Sequence, residues 1–193
     1  MKALFIFCFT VITSYSSLFA QITIKPTMGI NFTDWSKDQT LGEFESKVGY
    51  QFGGSVAIGK KIYFEPGLFF TEKTTEFVNS AGGATDAEFK LKGIRIPAAI
   101  GLNLLGSQNG FINLRGFAGA SVFFLTKADG STDITSEEFK DASWAVFAGA
   151  GANIAMFFVD LQYEWSLTDI TKTTVDVGKA STIFINVGIR IGL

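Results

Sequence analysis

Large apolar side chains alternate with polar or small ones along most of the chain after residue 21. In the last segment one parity carries six aliphatic residues: Ile183, Ile185, Val187, Ile189, Ile191 and Leu193. The other parity carries Asn186, Gly188, Arg190 and Gly192, with Phe184 as its single large apolar exception. Successive side chains of a strand point to opposite faces, so this alternation predicts strands with one apolar and one polar face.

Eight such segments are predicted from the alternation. They cover residues 22–33, 47–58, 61–77, 86–104, 110–126, 141–155, 157–168 and 180–193. Most match or exceed the roughly 9–11 residues that a tilted strand needs to cross a bilayer. Strands of soluble proteins are usually only about five or six residues long. The lengths therefore favour strands that cross a membrane.

Short and long connections alternate between the segments. The short ones are Gly59-Lys60, Leu105 to Asn109 and a turn near Met156; the long polar ones are 34–46, 78–85, 127–140 and 169–179. Outer-membrane barrels combine short periplasmic turns with longer outer loops. The predicted fold is therefore all-β, an eight-stranded antiparallel up-and-down transmembrane β-barrel with both termini on the periplasmic side.

The polar face carries charges of both signs. An eight-stranded barrel has an interior just wide enough for side chains, so six or more large apolar residues per strand would not fit inside it. We expect the apolar face to meet lipid and the charges to pair in the lumen. This lumen charge network, to which we assign a structural role, comprises Lys25, Glu65, Arg95, Arg115, Asp160, Glu164 and Arg190. A proton or ion path is the alternative role for these charges.

Aromatic residues near the strand ends beside the long connections are candidates for an interfacial girdle. They are Tyr50, Phe70, Phe89, Trp144 and Trp165. The alternative is that they are ordinary strand aromatics without a membrane role.

The first 20 residues read as a cleaved signal peptide. Lys2 precedes an apolar stretch, and Ala20 suits the position before cleavage. An uncleaved anchor is the alternative. The domains are then a signal peptide at 1–20 and a barrel at 21–193. Cleavage removes Cys8 and leaves 15 basic and 18 acidic residues, a net charge of −3, so no basic excess points to nucleic acid.

Several short motifs resemble the PorT-like outer-membrane β-barrel family over essentially the whole mature length. They are Gly29-Ile30-Asn31, Glu65-Pro66-Gly67-Leu68, Ile94-Arg95-Ile96-Pro97, Tyr163 with Leu167-Thr168-Asp169-Ile170, and the closing Gly188-Ile189-Arg190-Ile191-Gly192-Leu193. The resemblance implies a small barrel inserted by the barrel-assembly machinery. Such barrels often end in an aromatic residue, whereas Leu193 stands here. Two explanations stay open: insertion uses other features of the last strand, or residues are missing from this end. The family is named after a member linked to protein secretion, and resemblance in fold alone does not assign that role to this chain.

The sequence offers few candidates for a catalytic, cofactor or metal site. The chain has no histidine, which excludes Ser-His-Asp hydrolysis and His-based zinc sites. Asp160 and Glu164 share one strand face at about 13 Å, too far apart for a glycosidase pair. Asp129 to Asp133 resembles a calcium loop but lacks the spacing and the Glu of an EF-hand. No catalytic, cofactor or metal site is therefore predicted.

The resulting hypothesis is a non-enzymatic, monomeric outer-membrane barrel of a Gram-negative bacterium with a structural or surface-interaction role through four outside loops. Its expected surroundings are outer-membrane lipid and lipopolysaccharide, and no nucleic acid. Two alternatives stay open: a narrow pore or transport or secretion accessory, and a secreted soluble lipocalin-like barrel. A lipocalin would have an apolar cup inside and a terminal helix, and the sequence shows no signal for that helix.

The predicted closure makes the barrel heat-modifiable. A closed sheet has no free edge and unfolds slowly. Folded protein in detergent should therefore migrate differently on a gel before and after boiling. Identical migration together with a helical circular-dichroism spectrum would contradict the barrel.

Overall fold

The computed structural model describes residues 22–35, 43–46, 48–78, 87–106, 111–130, 142–168 and 180–192. These residues form ten strands: β1 (Ile22–Trp35), β2 (Glu43–Ser46), β3 (Val48–Gly59), β4 (Ile62–Val78), β5 (Ala87–Leu105), β6 (Ile112–Gly130), β7 (Ala142–Ile154), β8 (Phe157–Ser166), β9 (Ala180–Ile189) and β10 (Ile191–Gly192). The predicted signal peptide lies outside the described residues.

The strands close into an antiparallel barrel with eight strand positions. The hydrogen-bonded order is β10-β1-β3-β4-β5-β6-β7-β8-β9, and β9 also pairs with β1. β2 pairs with β4 and so continues the position of β3. β9 and β10 pair with β1 in one register, from Trp35 opposite Ala180 to Thr23 opposite Gly192. The predicted fold class is confirmed.

Two four-residue stretches predicted as loop are strand, and residues 34–35, 78 and 105 also extend their strands beyond the predicted ends. Residues 43–46 form β2, and β6 continues through 127–130, so that Asp129 and Gly130 of the calcium-like motif are strand residues. Both stretches lie outside the apolar alternation and are strand because their backbones pair with a neighbouring strand. β2 pairs with β4, and Gly130 pairs with Phe89. The rest of that motif, residues 131–133, lies outside the described residues.

The tight connections gather at one end of the barrel, here called the short-turn end. Lys60 and Lys61 join β3 to β4, and Ala155 and Met156 join β7 to β8. Gly106 follows β5 with φ +80°, a left-handed conformation that glycine adopts without a Cβ clash. Ile22 pairs with Ile58 at this end. The long connections leave from the opposite, long-loop end.

The apolar face points outward. On β5, Arg95 is 1% exposed between Ile94 at 42% and Ile96 at 40%. The outward row from Ile94 to Leu104 is about 33 Å long at 3.3 Å per residue. A tilt of about 40° reduces it to roughly 25 Å, the height of the apolar band of outer-membrane barrels. A soluble lipocalin-like barrel with an apolar interior is not favoured. No helix among the described residues is long and apolar enough to cross a membrane.

Neighbouring residues of β9 test the assignment of the two faces. Val187 is 46% exposed and Asn186 is 6% exposed. Arginine on the lipid face near the bilayer midplane costs roughly 2–4 kcal/mol, so Val187→Arg should impair folding into liposomes far more than the matched control Asn186→Asp. A nitroxide at position 187 should be relaxed by oxygen more than one at position 186. The opposite ranking in either measurement would reverse the faces.

Candidate functional site in the barrel lumen

Four buried or mostly buried charged residues form a cluster near the short-turn end, here called the lower cluster: Lys25 of β1, Glu65 of β4, Arg115 of β6 and Asp160 of β8. Lys25 Nζ lies 2.6 Å from Glu65 Oε1. Arg115 Nη2 donates to both Asp160 oxygens at 2.6 Å, and its Nη1 lies 3.3 Å from Glu65 Oε2. The lower cluster takes one side chain from every second strand position.

A second group, the upper cluster, lies nearer the long-loop end and is centred on Glu164 of β8. Arg95 of β5 donates to Glu164 Oε2 through Nε at 2.8 Å and Nη2 at 2.6 Å. Ser121 Oγ donates to the same oxygen at 2.8 Å. Lys73 Nζ lies 3.4 Å from Glu164 Oε1 and 3.3 Å from Thr182 Oγ1. Charge-assisted bonds of this kind are stronger than neutral ones.

Inward-facing aromatic rings support the cations of both clusters. The Arg95 guanidinium carbon lies 4.6 Å from the ring centre of Phe184, which is fully buried. Lys25 Nζ lies 4.4 Å from the ring centre of Phe158. A cation over an aromatic face is attracted by the ring quadrupole, and more strongly when it is desolvated. These rings thus stabilise charges that have little access to water.

Glycines on the inner face make room for these rings. A Cβ atom at Gly101 would overlap the ring of Tyr63, and one at Gly188 would contact the ring of Phe158. The small residues interleaved with the charges therefore have a packing role in the lumen.

The structure brings together six of the seven residues proposed for the lumen charge network. Arg190 is the exception: it is half-buried between β9 and β10 at the short-turn end, where its Nη2 donates to the Ala155 carbonyl at 3.0 Å. The alternation of β9 runs on through residue 190, but the strand itself is interrupted there. Arg190 therefore supports a turn carbonyl and belongs to neither cluster.

Sequence reasoning missed Lys73, Ser121 and Thr182 of the upper cluster. Lys73 shares strand parity with Glu65, and this signal was available from the third predicted segment. Phe158 shares parity with Asp160 in the same way, so that its inward position was also predictable. Ser121 and Thr182 carried no charge to distinguish them from ordinary strand residues.

Three of the five proposed girdle residues have exposed side chains near the long-loop end. Tyr50, Trp144 and Trp165 are exposed near the long-loop end, and the Trp165 ring packs against Tyr163 with centroids 4.7 Å apart. Phe70 is half-buried against Phe52, at 5.2 Å between centroids. The backbone of Phe89, in β5, pairs with Thr75 of β4 and Gly130 of β6, but its side chain lies outside the described residues.

Two small cavities flank the lower cluster. One, of about 40 Å³, lies between the two clusters; the other, of about 20 Å³, lies towards Arg190. Both are lined by Lys25, Glu65 and Arg115. In the part of the chain that the structure describes, no group of three or more His, Cys, Asp or Glu residues is placed to hold a metal ion. The lumen is thus a filled, ion-paired core.

Comparison with known proteins gives one matching family and several structures with a similar fold. The family described as "Outer membrane protein beta-barrel domain" matches residues 19–172. The outer membrane protein OprG of Pseudomonas aeruginosa is 12% identical, with a TM-score of 0.51 over 91% of this chain and 95% of that one. Ail, the attachment invasion locus protein of Yersinia pestis, is 14% identical, with a TM-score of 0.49 over 88% and 99%. No curated protein matches the sequence.

Two arginines provide a test of the clusters. Arg95→Met leaves Glu164 buried with one fewer partner, and breaking a buried ion pair costs roughly 3–5 kcal/mol. Arg190→Met removes a half-buried side chain that bonds a turn carbonyl, which we expect to cost about 1 kcal/mol. Urea unfolding in detergent should therefore separate the two variants clearly. Equal, small losses would mean that the upper cluster is well hydrated.

Proposed function

The chain belongs to the outer membrane protein β-barrel domain family, and from this premise we propose a non-enzymatic barrel that stabilises the envelope and presents its outer-side loops at the surface of a Gram-negative cell. In this proposal a signal peptide at residues 1–20 directs export, and the assembly machinery inserts the barrel as a monomer. The motif resemblance noted above further supports placing it among the PorT-like members.

The filled lumen is the observation that carries the proposal. The lower cluster links four strands across the barrel through contacts of 2.6–3.7 Å. The ion pairs of the upper cluster link β4, β5 and β8 nearer the long-loop end. Side chains that pair with one another inside a closed sheet stabilise it and leave little space for a solute. This favours a rigid anchor over a conduit.

The outer end of the barrel supports contact with the lipid headgroups. Tyr50, Glu72, Lys92 and Lys127 lie side by side across β3, β4, β5 and β6 in register. Tyr50 Oη donates to Glu72 Oε2 at 3.0 Å, and Lys92 Nζ lies 3.4 Å from the same oxygen. Phe52 and Phe70 pair two residues below this row. A change from aromatic to charged residues on the outer face fits the boundary between hydrocarbon and the anionic headgroups of lipopolysaccharide.

The strands β2, β4, β5 and β6 continue beyond that row. β4 pairs with β5 as far as Phe77 opposite Ala87, and β5 pairs with β6 as far as Gly130. From Lys92 to Ala87 the extension is about 17 Å along the strand. By contrast, β7 begins at Ala142, opposite Phe124. This projecting sheet would hold the connections 79–86 and 131–141 away from the membrane, as a surface-interaction role requires.

A narrow pore or transport accessory is the second candidate. The observation that favours it is the pair of cavities on either side of the lower cluster, since both are lined by the same three charged residues. Conduction would require Lys25, Glu65 and Arg115 to separate, because their contacts lie between the two spaces.

Single cysteines test the proposed orientation, because removal of Cys8 with the signal peptide leaves a background without cysteine. We expect a membrane-impermeant maleimide to label Thr85→Cys and Asp133→Cys on intact cells. The control Lys60→Cys, at the short-turn end, should react only after the outer membrane is permeabilised. The reverse pattern would contradict the proposal.

Planar-bilayer recording separates the two candidate functions with the same preparation. The anchor proposal predicts no sustained conductance above the lipid background. A stable conductance that Arg115→Ala enlarges would instead support the pore.

A further inference from the structure

Two residues that line the cavity between the two clusters carry buried hydrogen-bond donors that no side chain or backbone group of the described residues satisfies. Gln162 lines this cavity, and its buried Nε2 has no partner among the described residues. Arg115 lines it too, and the same holds for its buried Nε. Buried polar atoms in native proteins are nearly always bonded to protein, ordered water or a bound ion. These two donors therefore indicate an occupant.

The charges around the cavity favour an anion as that occupant. In the described part of the two clusters, four cations face three carboxylates: Lys25, Lys73, Arg95 and Arg115 against Glu65, Asp160 and Glu164. The three carboxylates are already turned onto the cations at contacts as short as 2.6 Å. The excess is one positive charge among side chains that are buried or mostly buried. An isolated buried charge is costly, and a bound anion would balance it.

The size of the cavity limits the anion to a small one. About 40 Å³ has room for roughly three water molecules, at about 10–15 Å³ each. A halide is little larger than one water molecule. A phosphate or sulfate, with four oxygens and two negative charges, would overfill the space and reverse the charge excess.

We propose that the cavity between the lower and upper clusters binds one halide ion, held by the Gln162 amide and the Arg115 guanidinium and attracted by Arg95 and Lys25. The ion completes the charge balance of the lumen and raises the barrier to unfolding. This site does not depend on the surface role of the loops or on whether the barrel conducts.

Unfolding kinetics in different salts test the site with the full barrel folded in detergent. The rate in urea is followed by tryptophan fluorescence in sodium chloride and in sodium gluconate at equal ionic strength. For a Kd of about 30 mM, raising chloride to about 300 mM slows unfolding about tenfold, whereas gluconate has no such effect. Bromide should act as chloride does and give an anomalous diffraction peak beside Gln162.

Variants separate the site from a general salt effect. Gln162→Leu removes the amide and should abolish the chloride response. Gln162→Glu places a negative charge there, which balances the excess positive charge and should also remove the chloride response. It provides a second variant if Gln162→Leu does not fold. The control Asn31→Leu changes another buried lumen amide that does not line the cavity, and it should keep the tenfold difference.

Two results would overturn the proposal. Equal unfolding rates of the unmodified barrel in chloride and gluconate, without a bromide peak, would mean that the cavity holds water only. A chloride response that persists undiminished in Gln162→Leu and Gln162→Glu would place the ion elsewhere in the barrel.

Discussion

Backbone hydrogen bonding in hydrocarbon is the constraint on which this structure depends. No water is present at that depth to satisfy an exposed N–H or C=O group, so a sheet can cross only if its two edges meet. Here β1 forms that junction by pairing with β3 on one side and with β9 and β10 on the other. Once this ladder is closed, the number of strands fixes the width of the interior, and every inward side chain must fit and be paired inside it.

The chemistry of the lumen follows from this closure. Alternation sends about half of the strand residues inward, where charged groups lose most of their hydration and leaving one unpaired is costly. In both clusters each carboxylate is contacted by more than one cation. Glu164, for example, is contacted by Arg95 and Lys73. Rings such as Phe158 and Phe184 occupy the space between the charges and contact the cations through their faces.

The fold was largely predictable because a period of two and the alternation of short and long connections are local properties of the sequence. The period of two also predicted that the side chains of Arg95 and Asp160 point into the lumen. Register is not local, however: it decides that Lys73 meets Glu164 and that Lys92 lies opposite Lys127. The strand β2 and the break at Arg190 were missed for a related reason, because hydrogen bonding to a neighbouring strand decides both, and no apolar pattern marks them.

The spacing of the lower cluster has a mechanical consequence. Its four members come from every second strand position, so that β1 stands opposite β6 and β4 stands opposite β8 around the wall. Lateral pressure from the surrounding acyl chains tends to flatten a thin cylinder into an ellipse. Flattening along one diameter moves the strands on the other diameter apart. The four contacts that run from Lys25 to Glu65, Arg115, Asp160 and back to Lys25 limit that separation. The lower cluster thus stabilises the circular cross-section of the barrel close to the short-turn end.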